Sequence, residues 1–407
     1  MNGILATIAV REPAPPPLAA DRGRAPGLAV RRLALTQFRG YETARLAVGP
    51  APVVLCGPNG AGKTNLLEAI SFLAPGRGLR RARLVEVDRI GGAPGSVWGV
   101  AASLDTASGA IEVGTGRDPA EGSERRLVRI DGKPQRGHAA LAELGAIAWL
   151  TPQMDGLFLG PAGGRRRFLD RLVYGFDAQH ARRLSQYEHA LSERSRLLKQ
   201  GHSDTTWIAA LEDTLASQGV AVTAARLDLV RRLNEISVDS EGAFPRARLS
   251  LEGTLESALA EAPALAVEER LRSRFAELRR LDAETGGSAE GPQRSDLKVR
   301  FGGRDLPAEQ ASTGEQKALI IAITLANARL IRDHRGQPPL LLLDEVAAHL
   351  DDGRRQALYG EILALGAQAW LTGTDEGLFR SLAGVAQFVR VADAKVATVS
   401  HTGVQGQ

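Results

Sequence analysis

The sequence predicts an α/β P-loop head that carries an antiparallel β subdomain and is interrupted by a helical arm. Three observations predict it. The motif "GPNGAGKT", 57–64, follows an apolar strand and opens a helix. From about Arg165 to Ser237 the apolar residues step by threes and fours, the spacing of packed helices. Beyond 291 the periodicity returns to strands and helices, with the four-leucine run "PLLLLDEVAAHLDD", 339–352, among them. The stretches on either side of the arm are each incomplete as α/β domains, and joined they make one. The expected boundaries are an extension at 1–28, the first half of the head at 29–160, the arm lobe at 161–290 and the second half of the head at 291–407.

Taken in order, the extension comes first. Its segment "REPAPPPLAADRGRAPGL", 11–28, has the Pro/Ala/Arg-rich composition of a disordered chain. The preceding "ILATIAV" has no basic residue before it and no clear cleavage site, so it makes a poor signal peptide. "VRRLALTQF" and "APVVLCG" read as strands, the second fully apolar and bounded by turn residues. A helix then runs to about Phe72. Residues 96–132 alternate apolar and polar, with Asp131-Gly132 as a turn, and predict an antiparallel sheet. "AIAWLTP", 146–152, is a buried strand. In the arm, Leu169, Leu172, Phe176, Leu184, Tyr187, Leu191 and Leu198 make one apolar run. Ile208, Leu211, Leu215, Leu227, Val230, Leu233 and Ile236 make another, and the break at Gly201-His202 suggests a helical hairpin. A short strand "RARLSLEG", a charged helix at 266–281 and a Gly-rich break at 286–291 follow. The closing strand–helix alternation implies a parallel sheet with crossover helices.

Composition bounds the function. Of 407 residues, 43% are apolar and 24% charged, as in a soluble globular protein. The formal net charge of +4 and pI of about 9.4 lean mildly toward polyanions. Only six of the 51 basic residues are lysine, so arginine carries nearly all the positive charge, in a form suited to gripping phosphate. The one cysteine, Cys56, excludes an internal disulfide and a Cys-rich zinc site, and its place at the end of an apolar strand suits a buried filler. No apolar run approaches the ~18 residues of a membrane span. A cytoplasmic protein is expected.

Three motifs carry chemistry. In the P-loop, Gly57, Gly60 and Gly62 let the backbone close on phosphate oxygens, with Pro58, Asn59 and Ala61 completing the loop. Lys63 is placed to reach the β/γ-phosphates of a nucleotide, and the Thr64 hydroxyl to ligate Mg²⁺. In the leucine strand, Asp344 and Glu345 stand at the carboxyl end, where α/β sheets place ligands. Asp344 can hold the Mg²⁺ shell, and Glu345 can orient or deprotonate an attacking water. In "ASTGEQKALIIA", 311–322, Ser312, Thr313 and Gly314 open a helix expected to run to about Arg332, with small residues that let a phosphate approach its start.

The order P-loop, long insert, S-x-G-x-Q, then L-L-L-D-E resembles the ABC ATPases, so the head is expected to be ABC-ATPase-like. The distribution of motifs resembles the RecF family of bacterial recombination mediators, relatives of the SMC and Rad50 heads. "LTQFRGYETARL", 35–46, is similar to that family's N-terminal strand, and "GRRRFLDRLV", 164–173, to the start of its arm. "GPQRSDL", 291–297, resembles a motif usually read Gly-Pro-His-Arg-Asp-Asp-Leu, with Gln293 and Ser295 as departures. "LTGTDEGLF", 371–379, resembles the stretch after the Walker B strand, and Glu315 stands where the family more often has Gln. The resemblance adds Arg39 and Gln153 to the nucleotide-binding residues. It makes Ser312, Gly314 and Gln316 a signature that meets the γ-phosphate of a nucleotide held by a second subunit. It implies ATP and Mg²⁺ as cofactors, an ATP-dependent homodimer, and a weak ATPase stimulated by DNA. It points to gapped DNA and single-strand/duplex junctions, with RecO and RecR as helpers and a role in recombinational repair and replication restart. The basic clusters expected on the duplex are 76–89, with Arg77, Arg80 and Arg81, and Arg165 to Arg167. A transporter nucleotide-binding subunit fits less well, because its signature lies closer to its P-loop. A Rad50- or SMC-type clamp would need far longer coiled coils than an arm of ~50 Å.

Overall fold

A computed structural model describes residues 27–120, 125–201, 205–238 and 242–399. Nearly all of the expected N-terminal extension lies outside the described residues. Among the described residues, Cα packing groups 27–154 with 327–399 as one unit and 155–326 as another.

In the first unit, β1 (Ala29–Phe38) pairs antiparallel with β2 (Tyr41–Ala47) through a two-residue turn at Arg39-Gly40, where Phe38 faces Tyr41. Strict alternation along β1 would separate Val30 from Leu33, yet both are buried. A β-bulge between Val30 and Arg32 shifts the register and puts both inside. β3 (Val53–Cys56) is buried throughout and leads into the P-loop and α1 (Lys63–Ser71). β4 (Gly99–Thr106), β5 (Gly109–Arg117), β6 (Arg126–Ile130) and β7 (Lys133–Pro134) extend the first sheet in the order β2-β1-β4-β5-β6-β7. Asp131 and Gly132, both at positive φ, make the β6–β7 turn expected from the sequence. An aromatic cluster of Phe38, Phe72 and Trp98 fastens the end of α1 to this sheet, with Phe72 and Trp98 4.7 Å apart. β8 (Ile147–Leu150) closes the first half.

The second unit holds the arm. The expected hairpin is built of three helices: α2 (Ala162–Phe176), α3 (His180–Lys199) and α4 (Thr205–Val238). The apolar steps continue across Asp177–Gln179, so spacing alone does not reveal that break. β9 (Ala247–Glu252) follows, then α5 (Thr254–Glu261), a helix the pattern did not suggest. The charged helix is split at Leu278 into α6 (Ala264–Glu277) and α7 (Arg279–Thr285).

β10 (Asp296–Phe301) corrects one expectation. It does not join a parallel sheet but pairs antiparallel with β9 and with β11 (Leu306–Pro307). The reason is legible in "DLKVRF": alternation suits a strand covered on one face, whereas a strand in a doubly covered parallel sheet is apolar throughout. Residues 291–326 accordingly group with the arm rather than with the second half of the head.

The arm core contains buried charge. Arg194 is enclosed by Glu212, Asp282 and the carbonyl of Phe275. Asp170 accepts from Arg226 at 2.8 and 2.9 Å and bonds His180. Burial by itself would raise the Asp170 carboxyl, but Arg226 and His180 hold it down at about 2. Gln293 and Ser295, the two departures from the family motif, are also engaged here, Gln293 with Tyr187 and Ser295 with Glu256.

α8 (Thr313–Arg335) carries the chain back to the first unit. There β12 (Leu340–Leu343), α9 (Asp352–Leu365), β13 (Ala369–Gly373), β14 (Gln387–Ala392) and β15 (Lys395–Val399) complete a second sheet, in the order β15-β14-β3-β13-β12-β8. All its neighbours run parallel except β14 and β15.

Candidate nucleotide site

Strand order builds the site. β13 lies between β3, which delivers the P-loop, and β12, which delivers Asp344. The carboxyl ends of the three strands therefore set Thr372 between the two motifs. Thr64 Oγ1 donates to Asp344 Oδ1 at 3.0 Å, and Thr372 Oγ1 donates to the same oxygen at 2.8 Å. The Glu345 backbone N–H donates to Thr372 Oγ1 at 2.8 Å. One buried hydroxyl thus fixes the carboxylate of one acidic residue and the backbone of the next. Glu345 is left-handed, with φ 54, and half-buried. Burial raises the Asp344 carboxyl above its usual range, while the hydroxyls of Thr372 and Thr64 pull it back.

The P-loop is closed by its neighbours. A Cβ on Gly57 would lie 2.0 Å from the carbonyl oxygen of Val391, so no side chain fits there. Gly62 has φ 109, and a Cβ there would meet the Tyr41 hydroxyl at 2.6 Å. Lys63 Nζ donates to the carbonyls of Gly57 and Pro58 at 2.7 and 2.8 Å, and the residue is only 4% exposed. Burial lowers its ammonium pKa, and the charges of Glu345 and Asp344 oppose that shift. The Ala394 N–H donates to the carbonyl of Ala61 at 3.1 Å, so the β14–β15 turn also braces the loop. Pro58, Asn59 and Gly60 are exposed at the loop's tip.

A hard divalent cation fits this donor set. Mg²⁺ is commonly held by one carboxylate and one hydroxyl, with phosphate oxygens and waters completing the shell. Thr64 and Asp344 are already paired at that point. No group of three or more His, Cys, Asp or Glu side chains among the described residues could hold a metal by itself.

The remaining expected residues have these places. Arg39, at φ 54 in the β1–β2 turn, forks onto Glu68 at 2.7 and 2.9 Å and reaches the carbonyl of Glu86 at 2.6 Å. Gln153 is exposed on the turn Pro152–Met154 that follows β8, the strand beside β12. In the second unit, the Ser312 hydroxyl and N–H both donate to the Glu315 carboxylate, at 3.0 and 2.9 Å, the reciprocal pattern of a capped helix. Arg304 also bonds Glu315, and with Ser312 it holds that carboxyl at about 2. Gln316 is buried and donates to the carbonyl of Ala311, while its Oε1 has no partner among the described residues. A Cβ on Gly314 would meet nothing within 4 Å, so that face of the helix start is open.

The basic clusters divide. Arg77 and Arg81 are exposed. Arg80 donates to Asn65 at 2.8 Å and to Glu68 at 3.1 Å. Arg165 is committed within the arm, forked onto Asp296 at 2.7 and 2.9 Å, and Arg166 donates to the carbonyl of Ser295 at 2.7 Å. Arg167 is exposed. Sequence reasoning did not assign the roles of Thr372 and Glu68. Thr372 follows the apolar part of a strand in a chain that already carries a P-loop, a signal that could have pointed to it. Glu68 carried no signal beyond being an acid in an apolar helix.

The model of the RecF/RecN/SMC N-terminal domain matches residues 29–397. The DNA replication and repair protein RecF of Mesorhizobium japonicum is 49% identical over 89% of this chain and 96% of its own length. RecF of Rhizobium meliloti is 46% identical over 90% of this chain and 97% of its own length. The chain belongs to the RecF family of DNA replication and repair proteins. The fold agrees with that membership. A solved structure of the recombination mediator protein RecF with ATP superposes with a TM-score of 0.77, at 20% identity, covering 93% of this chain and all of that one. The Smc head domain of Pyrococcus furiosus superposes with a TM-score of 0.51, covering 92% of this chain and 96% of that one. As in RecF and Smc heads, the architecture is that of an ABC-type ATPase. No helix among the described residues is long and apolar enough to cross a membrane.

Proposed function

We propose that this chain is an ATP-dependent DNA-binding protein of recombinational repair and replication restart. It binds Mg²⁺-ATP at the P-loop, dimerises on the nucleotide, holds gapped or junction DNA, and lets go on hydrolysis. The observation that carries the reading is the Thr64–Asp344–Thr372 cluster, which places a hydroxyl and a carboxylate together where a nucleotide's terminal phosphates would enter. Bound Mg²⁺ would supply charge neutralisation at those phosphates. Lys63, now on its own loop's carbonyls, has only to turn its ammonium outward to reach the β/γ-phosphates. Glu345, anchored through its N–H, takes the proton of the attacking water. Ser312, Gly314 and Gln316 meet the γ-phosphate of the second subunit's ATP, so a two-fold pair buries two nucleotides. The basic segment 76–89 takes duplex phosphates, DNA stimulates a weak turnover, and RecR and RecO are the expected helpers in the cytoplasm.

Glu345→Gln tests the reading. The amide keeps the shape and cannot take a proton, so ATP-bound, DNA-bound protein should accumulate while turnover is lost. Filter binding of ATP with phosphate release reads both quantities, and near wild-type turnover would rule out Glu345 as the base.

A further inference from the structure

The start of α8 carries an acid where a phosphate is expected to arrive. Glu315 lies in the first turn of the helix, and both of its carboxylate oxygens are engaged. Oε1 accepts from Arg304 Nη2, and Oε2 accepts from the Ser312 N–H at 2.9 Å and from its hydroxyl at 3.0 Å. Arg304 and then Ser312 hold the carboxyl at about 2, so it is ionised at neutral pH. An acid in a first turn suits the helix dipole. It also sets a full negative charge on the hydroxyl that a phosphate would have to take. A phosphate oxygen bonded to Ser312 would lie two hydrogen-bond lengths from that carboxylate, roughly 5–6 Å. Repulsion between unit charges at that range costs about fourfold in affinity in water and about a hundredfold at the dielectric of a protein surface. A second observation marks this helix start as unfinished by its own contacts. Gln316 is 3% exposed, and its Oε1 has no partner among the described residues.

Among the described residues, Arg304 is the one cation paired with Glu315. It comes from the turn between β10 and β11, and its guanidinium lies over the Phe301 ring, 4.4 Å from the centroid. Asp305, left-handed at φ 47, ties the same turn to Arg300 at 2.6 Å. The Arg304 side chain is 55% exposed. An ion pair this open to water contributes little to folding, so its effect lies in the charge it leaves at the helix start. We propose that Arg304 is a positioning residue of the composite nucleotide site: it cancels the charge of Glu315, so that the start of α8 can receive the γ-phosphate of a nucleotide held by a second copy of this chain. This rests on the reading of Ser312, Gly314 and Gln316 given above and adds the charge balance that reading requires. With Arg304 in place, the backbone N–H groups and the dipole of α8 face the phosphate without an uncompensated carboxylate among them. Arg304 acts through Glu315 and need not touch the phosphate itself.

The test is sedimentation with excess ATP for wild type, Arg304→Ala, Arg304→Lys, Glu315→Gln and the double variant Arg304→Ala with Glu315→Gln. Thermal melts check folding, and ATP binding at low protein concentration reads the P-loop alone. A two-fold dimer holds two such sites, so Arg304→Ala should weaken ATP-dependent dimerisation about 100-fold, or about tenfold at each site, and leave ATP binding to the monomer unchanged. Arg304→Lys keeps the charge and should recover most of the loss. In the Glu315→Gln background, Arg304→Ala should cost about twofold at most, a rescue that a merely structural arginine would not show. Wild-type dimerisation by Arg304→Ala overturns the proposal, and so does a loss that Glu315→Gln fails to relieve. Ser312→Arg, run alongside, separates the two levels. If it dimerises as wild type does, the reading of the helix start falls and this inference falls with it. If it abolishes the dimer while Arg304→Ala keeps it, only this inference falls.

Discussion

At the scale of single residues, Thr372 is the side chain on which the site's order depends. It donates to Asp344 and accepts from the Glu345 N–H, so it sets the Asp344 carboxylate and the Glu345 backbone together. Valine has its shape and neither hydrogen bond. Thr372→Val should raise the Mg²⁺ concentration for half-maximal turnover about 10–100-fold, the usual cost of losing a partner that orients a metal ligand. ATP binding without Mg²⁺ should change little. A metal titration of turnover decides it: an unchanged midpoint would make Thr372 a strand residue and nothing more. The two motifs were legible in the sequence because each is a local string whose spacing encodes its shape. Thr372 was not, because its role comes from the strand order that sets β13 between them.

At the scale of elements, the arm is held by charge as well as by apolar packing. Asp170 on α2 is buried between Arg226 of α4 and His180 of α3. Its carboxyl is held at about 2 in the folded protein, below its ordinary 3.8. A depressed acid contributes stability that is fully present above about pH 4 and is lost as pH falls toward 2. Asp170→Asn should leave Arg226 buried without a counter-charge and destabilise the protein by about 3–5 kcal/mol near neutral pH. The variant should also lack this part of the acid-dependent loss. Urea melts from pH 7 down to pH 3 read both effects, and a variant as stable as wild type would make the pair dispensable. The start of α8 poses a separate question, since its capping pattern accounts for Ser312 without any ligand. Ser312→Arg should leave ATP binding to the monomer nearly intact and abolish ATP-dependent dimerisation and turnover. Sedimentation with ATP separates the alternatives: a wild-type dimer would show that Ser312 only caps its helix.

At the scale of the whole molecule, the proposed DNA grip is electrostatic. Affinity should fall steeply with salt, because binding releases counterions from the phosphates. Arg77→Ala should weaken binding alike on all sequences and lower the salt slope by about one. Fluorescence anisotropy across a salt series checks this, and an unchanged slope would take Arg77 off the duplex. Arg165 is a poor choice for the same experiment, since its fork is closed on Asp296. Replacing it would test arm stability rather than DNA contact.

The sequence by itself determined the P-loop, the Asp344-Glu345 strand end, the antiparallel β subdomain and the presence of a helical arm. Each rests on periodicity or on a contiguous motif, and both are written in neighbouring residues. It also carried the family resemblance, through the order of its motifs. Tertiary structure alone decided the partners of charged groups. Arginines 80 and 165 look alike in the sequence to arginines 77 and 167, and only the fold brings Glu68 and Asp296 to the first pair. It decided that β10 pairs with β9, since pairing between strands separated by more than forty residues is a long-range choice with no local signature. It placed Thr372 at Asp344 for the same reason: hydrogen bonds between distant residues follow the order of strands in a sheet, and that order is fixed by burying the whole apolar surface at once.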